Sequence, residues 1–467
     1  MGARASWPSC GPWRSCCDEE RTVLGVLTHP AYGRLFAAQV IALLGTGLLT
    51  VALGLLAYDL AGERAGAVLG TALAIKMIAY VGLAPVAGAV AERLSRRAVL
   101  IGADLVRASV ALLLPFIGEV WQIYALIFVL QGASATFTPA FQAAIPEILE
   151  DEADYTKALS LSRLAYDLEN LVSPALAALL LAVMSYHWLF GGTVLGFLCS
   201  AALVWATSLP GGRPAARTRR FLDRLTRGAR IYLATPRLKG LLALNLTAAA
   251  AAAFVVVNTV VVVKSGYAGT EADMAVALAA FGAGSMAAAL ALPRLLERVS
   301  DRGAMVAAGL LLTLLTLGQA AWWLARGLPG WPAFLAAWAV SGLLYSTILT
   351  PAGRLLRRST HAEDRPAIFA AQFALSHACW LVTYPVAGWA GEALGLPLAM
   401  LALGGLALAG LAASVAVWPR GDPRELVHEH PDLEASHQHL REHAGDGRRH
   451  RHVFVIDENH PHWPRPA

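Results

Sequence analysis

The chain has 467 residues, 57% of them hydrophobic and only 15% charged, with a mean hydropathy of +0.55. Soluble domains carry about 25% charged residues, so the composition excludes a water-soluble domain and calls for a polytopic, all-α membrane protein. A formal charge of +5 does not imply nucleic acid here, because most Lys and Arg sit in short segments between apolar runs, where they orient a chain in the bilayer.

Residues 1–33 form a polar segment containing Asp18-Glu19-Glu20-Arg21, with neither a long apolar core nor a small-residue cleavage site, so it is not a signal peptide and is expected to stay cytoplasmic. Cys10, Cys16, Cys17, Cys199 and Cys379 offer no disulfide framework. Apolar stretches then recur at 35–60, 67–91, 98–117, 121–145, 157–182, 187–208, 239–263, 273–295, 304–325, 331–351, 367–390 and 396–418. Each meets the length of about 20 residues that a membrane-crossing helix needs. Twelve crossings put both termini on one side. Arg93, Arg96 and Arg97 follow span 2, a run from Arg213 to Lys239 follows span 6, Arg298 and Arg302 follow span 8, and Arg354, Arg357, Arg358 and Arg365 follow span 10. The positive-inside rule makes these connections and both termini cytoplasmic. Trp121, Trp188 and Trp331 open spans 4, 6 and 10 as an outer aromatic belt would.

The chain also repeats itself. Glu92-Arg93-Leu94-Ser95-Arg96-Arg97 after span 2 is echoed by Glu297-Arg298-Val299-Ser300-Asp301-Arg302 after span 8. Thr138-Pro139-Ala140 matches Thr350-Pro351-Ala352, and Pro174 in span 5 matches Pro385 in span 11. Two six-helix bundles (34–208 and 238–418) follow, related by an axis along the membrane normal and joined by a basic cytoplasmic linker at 209–237.

Gly88-x-x-x-Glu92-Arg93-x-Ser95-Arg96-Arg97 resembles the signature between spans 2 and 3 of the major facilitator superfamily, with Glu and Ser standing where the family has Asp and Gly. Val99-Leu100-Ile101-Gly102-Ala103-Asp104-Leu105-Val106-Arg107 looks like the multidrug, macrolide and siderophore exporters of that superfamily. The resemblance covers roughly residues 30–418. It implies a gate latch at Gly88, Glu92, Arg93, Arg97, Asp104 and Arg107, with Arg96 expected to be a topology anchor only. Asp104 and Arg107 lie one helical turn apart inside a span and can reach each other.

Span 5 carries charge where a membrane helix avoids it. At about 100° per residue, Ser162, Arg163, Tyr166, Asp167, Glu169, Asn170 and Ser173 share one arc. Exposing ions to lipid costs roughly 2.5–3.5 kcal/mol each on insertion scales, so this face must meet a wet cavity or buried partners, and is expected to line a transport cavity. Arg163 and Asp167 pair along the helix, whereas Glu169 points about 160° from Asp167 and is favoured as the proton-exchanging carboxylate. Span 11 presents Gln372, Ser376, Cys379 and Thr383 with His377, Trp380 and Tyr384 beside them. Aromatics and small hydroxyls suit an amphipathic organic guest, and they equally suit helix packing. Lys76 is expected to snorkel outward, and Asp59 to be solvated near the outer end of span 1.

After Trp418 the tail (419–467) holds His428-x-His430, His437-x-His439, His443, His450-x-His452 and His460-x-His462. Residues two apart in an extended segment point the same way, so each pair can offer two imidazoles to one cation such as nickel, cobalt or zinc. Val453-Phe454-Val455-Ile456-Asp457 interrupts the polar run and is expected to pack on the cytoplasmic face. A His-rich tail resembles that of nickel-resistance exporters in the same superfamily. No tightly bound cofactor is otherwise expected, and no enzyme motif lies in or beside a span.

The expected protein is a monomeric, proton-coupled exporter of small molecules in the bacterial inner membrane, working by alternating access, with lipid, protons and the transported solute or metal ion as its partners. A nickel or cobalt efflux transporter and a non-transporting membrane sensor are the alternatives.

Overall fold

The computed structural model describes residues 23–91, 95–149, 151–209, 221–361, 364–421, 425–429, 445–446, 449–457, 460 and 463. Within these, the side chains of 23–24, 81–91, 139, 143, 146, 152–153, 156, 159–160, 163–164, 166–171, 221–225, 293, 365–366, 428 and 445–446 lie outside the described set.

Twelve described α-helices have 18 residues or more: α1 (Pro30–Ala61), α2 (Ala65–Ala91), α3 (Arg96–Leu113), α4 (Val120–Ile148), α5 (Glu152–Leu181), α6 (His187–Trp205), α8 (Pro236–Val261), α9 (Glu271–Leu295), α10 (Asp301–Arg326), α11 (Trp331–Leu349), α13 (Arg365–Leu394) and α14 (Leu396–Val417). They coincide with the twelve expected spans. Apart from α5, each contributes to a helical stretch apolar enough to cross a membrane, α1 and α2 sharing the one from Pro30 to Tyr80. Among the described residues α5 is apolar only over Val172–Leu181. Two shorter helices, α7 (Phe221–Ala234) and α12 (Ala352–Arg358), lie at the basic end of the bundle.

Packing follows a two-fold plan. In the first six helices α1 packs on α5 and α6, α3 on α4 and α6, and α2 on α4. In the last six, α8 packs on α13 and α14, α10 on α11 and α14, and α9 on α11. The sets touch through α2 on α13 and, reciprocally, α5 on α9. Pro174 and Pro385 sit inside the 30-residue helices α5 and α13, equivalent positions in this plan.

Small residues set the closest approaches, since apolar side chains gain nothing by leaving lipid and helices associate through tight contact instead. Along α8, Ala248–Ala253 are all buried. A Cβ on Gly342 of α11 would stand 1.9 Å from the Phe281 carbonyl oxygen of α9, and one on Gly284 of α9 would stand 1.7 Å from that of Ala339. At the interface between the halves, a Cβ on Gly70 would lie 2.6 Å from the Tyr384 carbonyl oxygen. Large apolar side chains such as Phe116, Trp121, Leu179, Trp188 and Leu314 are exposed, as lipid-facing positions require.

The tail folds. β1 (Glu425–Glu429), β2 (Gly445–Asp446) and β3 (Arg449–Val453) form an antiparallel sheet in the order β1-β3-β2. Phe454 and Ile456 join a core with Ile231, Tyr232, Leu238, Leu355 and Trp418. The apolar interruption in the tail therefore docks on α7, α8 and α12, although Val453 itself is exposed.

Replacing Gly342 by Val is expected to cost about 1–3 kcal/mol of overpacking strain. The check is the thermal unfolding midpoint in detergent, which falls for this variant and stays unchanged for Gly318→Ala, where a Cβ meets nothing within 4 Å.

Candidate functional site

The start of α3 is built by the signature segment. Ser95 caps the helix by accepting from the Ala98 amide at 3.3 Å, leaving Arg96 and Arg97 on the first turn. Arg96 meets Glu147 near the end of α4 at 2.7 Å, so it is more than the topology anchor expected. Arg97 donates to the carbonyls of Trp205 and Thr207 at 2.5 and 2.6 Å. Those carbonyls end α6, where a cation complements the helix dipole. Gly88, Glu92 and Arg93 fall outside the described residues or side chains.

The second copy uses the same parts. Ser300 caps α10 by accepting from the Gly303 amide at 3.1 Å. Arg302 donates to the Trp418 carbonyl at 3.1 Å, just past α14, as Arg97 does after α6. Asp301 stands where Arg96 stands, and its partners are Arg354, which donates through Nε at 3.0 Å, and Arg358 at 3.9 Å. The charge order is inverted between the halves: cation to anion in the first, anion to cation in the second. A cavity of about 290 Å³ opens beside it, lined by Asp301, Arg302, Arg354, Arg358 and Arg420.

Deeper in α3, Asp104 and Arg107 form the expected pair, buried and hydrogen-bonded. Ser200 Oγ on α6 donates to the other Asp104 oxygen at 2.7 Å. The Arg107 guanidinium lies 4.2 Å from the Phe137 ring centre and 4.6 Å from that of Phe197. Two ring faces and a carboxylate together stabilise a cation that lipid would not. The sequence reading missed Ser200, Phe137 and Phe197; the aromatic and hydroxyl content of spans 4 and 6 was the available signal.

On α5 the side chains of Arg163, Tyr166, Asp167, Glu169 and Asn170 lie outside the described set. Two members of the same arc are described. Ser162 is buried and donates to Gln39 Oε1 of α1 at 3.3 Å, and Ser173 is fully buried. At these positions the arc faces protein, not lipid.

Across the interface, Tyr80 of α2 meets the rings of Phe373 and His377 of α13 at 6.1 and 5.7 Å, and the Lys76 ammonium lies 5.8 Å from the Tyr80 ring centre. The Trp380 ring lies tilted on Tyr384 at 4.9 Å and edge-on to Tyr345 of α11 at 6.3 Å. Ser376 Oγ donates within its own helix, to the Phe373 carbonyl at 3.0 Å. Gln372 accepts from Tyr232 Oη of α7 at 2.5 Å, and Arg227 of α7 pairs with Asp364, ahead of α13, at 2.7 Å. The basic linker thus grips α13, a contact that spans 140 residues of sequence. At the opposite end Tyr58 Oη and Ser265 Oγ are 2.9 Å apart, the Tyr186 amide donates to Glu271 at 3.0 Å, and Trp389 donates to Thr71 at 3.0 Å. Asp59, expected to be solvated, accepts from Tyr186 Oη at 2.5 Å.

In the tail, His450, His452 and His460 bring one ligand nitrogen each within 4.8 Å of one another, a triad able to hold a metal ion. Burial raises the Asp457 carboxyl, but hydrogen bonds from His460 and His361 and the nearby His460 charge outweigh it and hold the group well below the usual carboxylate range. The side chain of His428 and all of His430, His437, His439 and His462 lie outside the described residues.

The Major Facilitator Superfamily model matches residues 35–318 and 240–456. The chain belongs to the major facilitator superfamily. It is therefore a multi-pass membrane transporter of a small-molecule substrate and not an enzyme. An uncharacterized MFS-type transporter, YfiS, of Bacillus subtilis is 26% identical over 386 residues, covering 79% of this chain and 89% of that protein. Macrolide efflux protein A of Streptococcus pyogenes is 27% identical over 219 residues, and the match spans 45% of this chain and about half (53%) of the relative. Among solved structures, the nucleoside transporter NupG superposes with a TM-score of 0.60 at 14% identity, over 83% of this chain and 98% of that one. A bacterial homologue of the human lysosomal transporter Spinster, inward-facing and unoccupied, gives 0.61 at 11% identity over 86% of this chain and 100% of that one. At these identities the structures speak for the fold.

Asp104→Ala leaves Arg107 buried beside an uncompensated site and is expected to destabilise the protein by about 3–5 kcal/mol. The Asp104→Asn/Arg107→Gln pair removes both charges and restores most of the loss. Thermal unfolding of the single and double variants in detergent measures the difference.

Proposed function

We propose that this transporter is a proton-coupled exporter of an amphipathic organic solute, set in the bacterial inner membrane with both termini cytoplasmic and working by alternating access. The carrying observation is the aromatic cluster where α13 meets α2 and α11, Tyr80 with Phe373 and His377, and Trp380 with Tyr345 and Tyr384. Flat apolar faces with a few polar edges are what an organic guest needs. Ser376 and Gln372 add hydrogen-bonding capacity on the same helix. Partial similarity to a macrolide efflux protein supports export and an organic cargo.

Proton coupling is assigned to α5. A carboxylate held among membrane helices is costly when ionised, so its protonation follows the side to which it is open. Glu169 takes that role, as the acid that the helical spacing sets apart from Arg163 and Asp167, with Tyr166 and Asn170 on the same sequence arc. The polar bonds between the halves near Tyr58, Thr71 and Glu271 support an assignment in which this end is the shut, external gate, and the helix-start networks of Arg97 and Asp301 latch the other. The histidine triad favours a second reading, export of nickel or cobalt, in which the tail gathers the ion before transport.

In vesicles with an imposed pH gradient, Glu169→Gln is expected to abolish gradient-driven efflux of a macrolide or cationic dye while leaving solute exchange intact. Trp380→Ala is expected to weaken solute binding about tenfold, the equivalent of about 1.4 kcal/mol. Gradient-driven efflux unchanged in Glu169→Gln rejects the coupling assignment. Efflux of nickel or cobalt with no organic cargo moved replaces the first reading by the second. Absence of counter-flow for either leaves a sensor.

A further inference from the structure

We propose that His450, His452 and His460 bind one divalent transition-metal ion of the zinc, nickel or cobalt kind, and that the bound ion clamps the tail sheet onto the start of α13. The site and its link to α13 stand whatever the transporter carries.

The site is assembled by three local devices. β3 turns His450 and His452 to one face because strand residues alternate, and burial follows: these two are packed while Arg451 and Val453 are exposed. The chain then comes back through a turn in which the His460 amide donates to Asp457 Oδ1 at 2.8 Å and the Asp457 amide donates to the His460 carbonyl at 3.3 Å. That return sets the His460 ring 5.0 Å from His452, which lies 5.1 Å from His450.

Hydrogen bonds orient two of the rings for coordination. The Val453 carbonyl can only accept, so His452 Nδ1, 2.8 Å away, carries the proton. The Asp457 carboxylate can only accept, so His460 Nδ1, at 2.8 Å, carries one too. In both rings Nε2 is left as the metal-binding nitrogen, the arrangement in which an outer carboxylate or carbonyl fixes the tautomer of a ligand histidine. Phe454 packs edge-on against His460 at 4.8 Å and against Trp463 at 5.1 Å, an apolar wall on one side of the donors. Imidazole ligands suit ions of this class, and three protein ligands leave a fourth position for water. Metal–nitrogen bonds of about 2.0–2.1 Å draw the rings closer together than they stand, so binding tightens the turn.

Tightening is transmitted. Asp457 takes His460 on Oδ1 and accepts from His361 Nε2 on Oδ2 at 3.2 Å. His361 lies in the connection from α12 to α13, three residues before the Asp364 that holds Arg227 of α7. An ion on His460 is thus two hydrogen bonds from the segment that opens α13, the helix bearing Trp380.

The test uses the full-length protein in nanodiscs, stripped with chelator and titrated with zinc and with nickel by calorimetry, with cobalt absorption reporting ligand type. One ion per chain is expected. Single alanine variants at His450, His452 or His460 lose about 100-fold or more in affinity, and Asp457→Asn loses about 10–100-fold, the range for outer-shell groups. Alanine at His428, His430, His437, His439, His443 and His462 together leaves the tight site intact. Zinc slows amide exchange in 425–463 and at the start of α13, and His361→Ala keeps the affinity but loses the slowing at α13. No tight binding, or binding removed by the six-histidine variant and kept by the triad variants, overturns the site. Binding without any change in exchange overturns the clamp. Transport is not a readout, so failure of the exporter reading and failure of this one are separate results.

Discussion

A charge inside a bilayer has to find its counterpart within its own neighbourhood, because no solvent arrives to complete it. Arg107 shows what that demands: a carboxylate one turn away, two phenyl faces, and a serine from α6 to hold the carboxylate's second oxygen. These partners come from three helices, α3, α4 and α6, and thereby tie half of the first bundle around one cation. The basic end obeys the same constraint with less burial. There Arg96, Arg97, Asp301 and Arg302 close on helix starts or helix ends and fasten those helices to one another.

Two levels of order are separable in the architecture. Backbones approach through glycine and alanine along α8, α9 and α11, which sets spacing without directional bonds. Side-chain networks at the two ends then define which helices are neighbours. Between the halves, side-chain bonds of this kind join Tyr58 to Ser265, Glu271 to the Tyr186 amide and Trp389 to Thr71.

Much of this was readable from residues alone. Crossing number follows from apolar length, and the internal repeat follows from Ser95-Arg96-Arg97 and Ser300-Asp301-Arg302, whose serines prove to be helix caps and whose final arginines seal equivalent helix ends. What stayed hidden depends on partners distant in sequence. Tyr232 with Gln372, Arg227 with Asp364, and Asp104 with Ser200 are ordinary polar residues until the fold brings them together. Sequence alone presents the tail as a string of His-x-His pairs. The strand pairing that joins Leu426 to His452 across a long gap leaves no local periodicity, so only the alternation within β3 was visible, and the return of His460 was not.

The reversed polarity of the paired helix-start bridges has a consequence for assembly. Were α3 to be offered to the second bundle's Arg354, two guanidinium groups would confront each other; were α10 to be offered to Glu147, two carboxylates would. Duplicated modules in one chain run the danger of exchanging parts while they are inserted. Here the inverted ion pair disfavours that exchange, since a swapped segment would set like charges together.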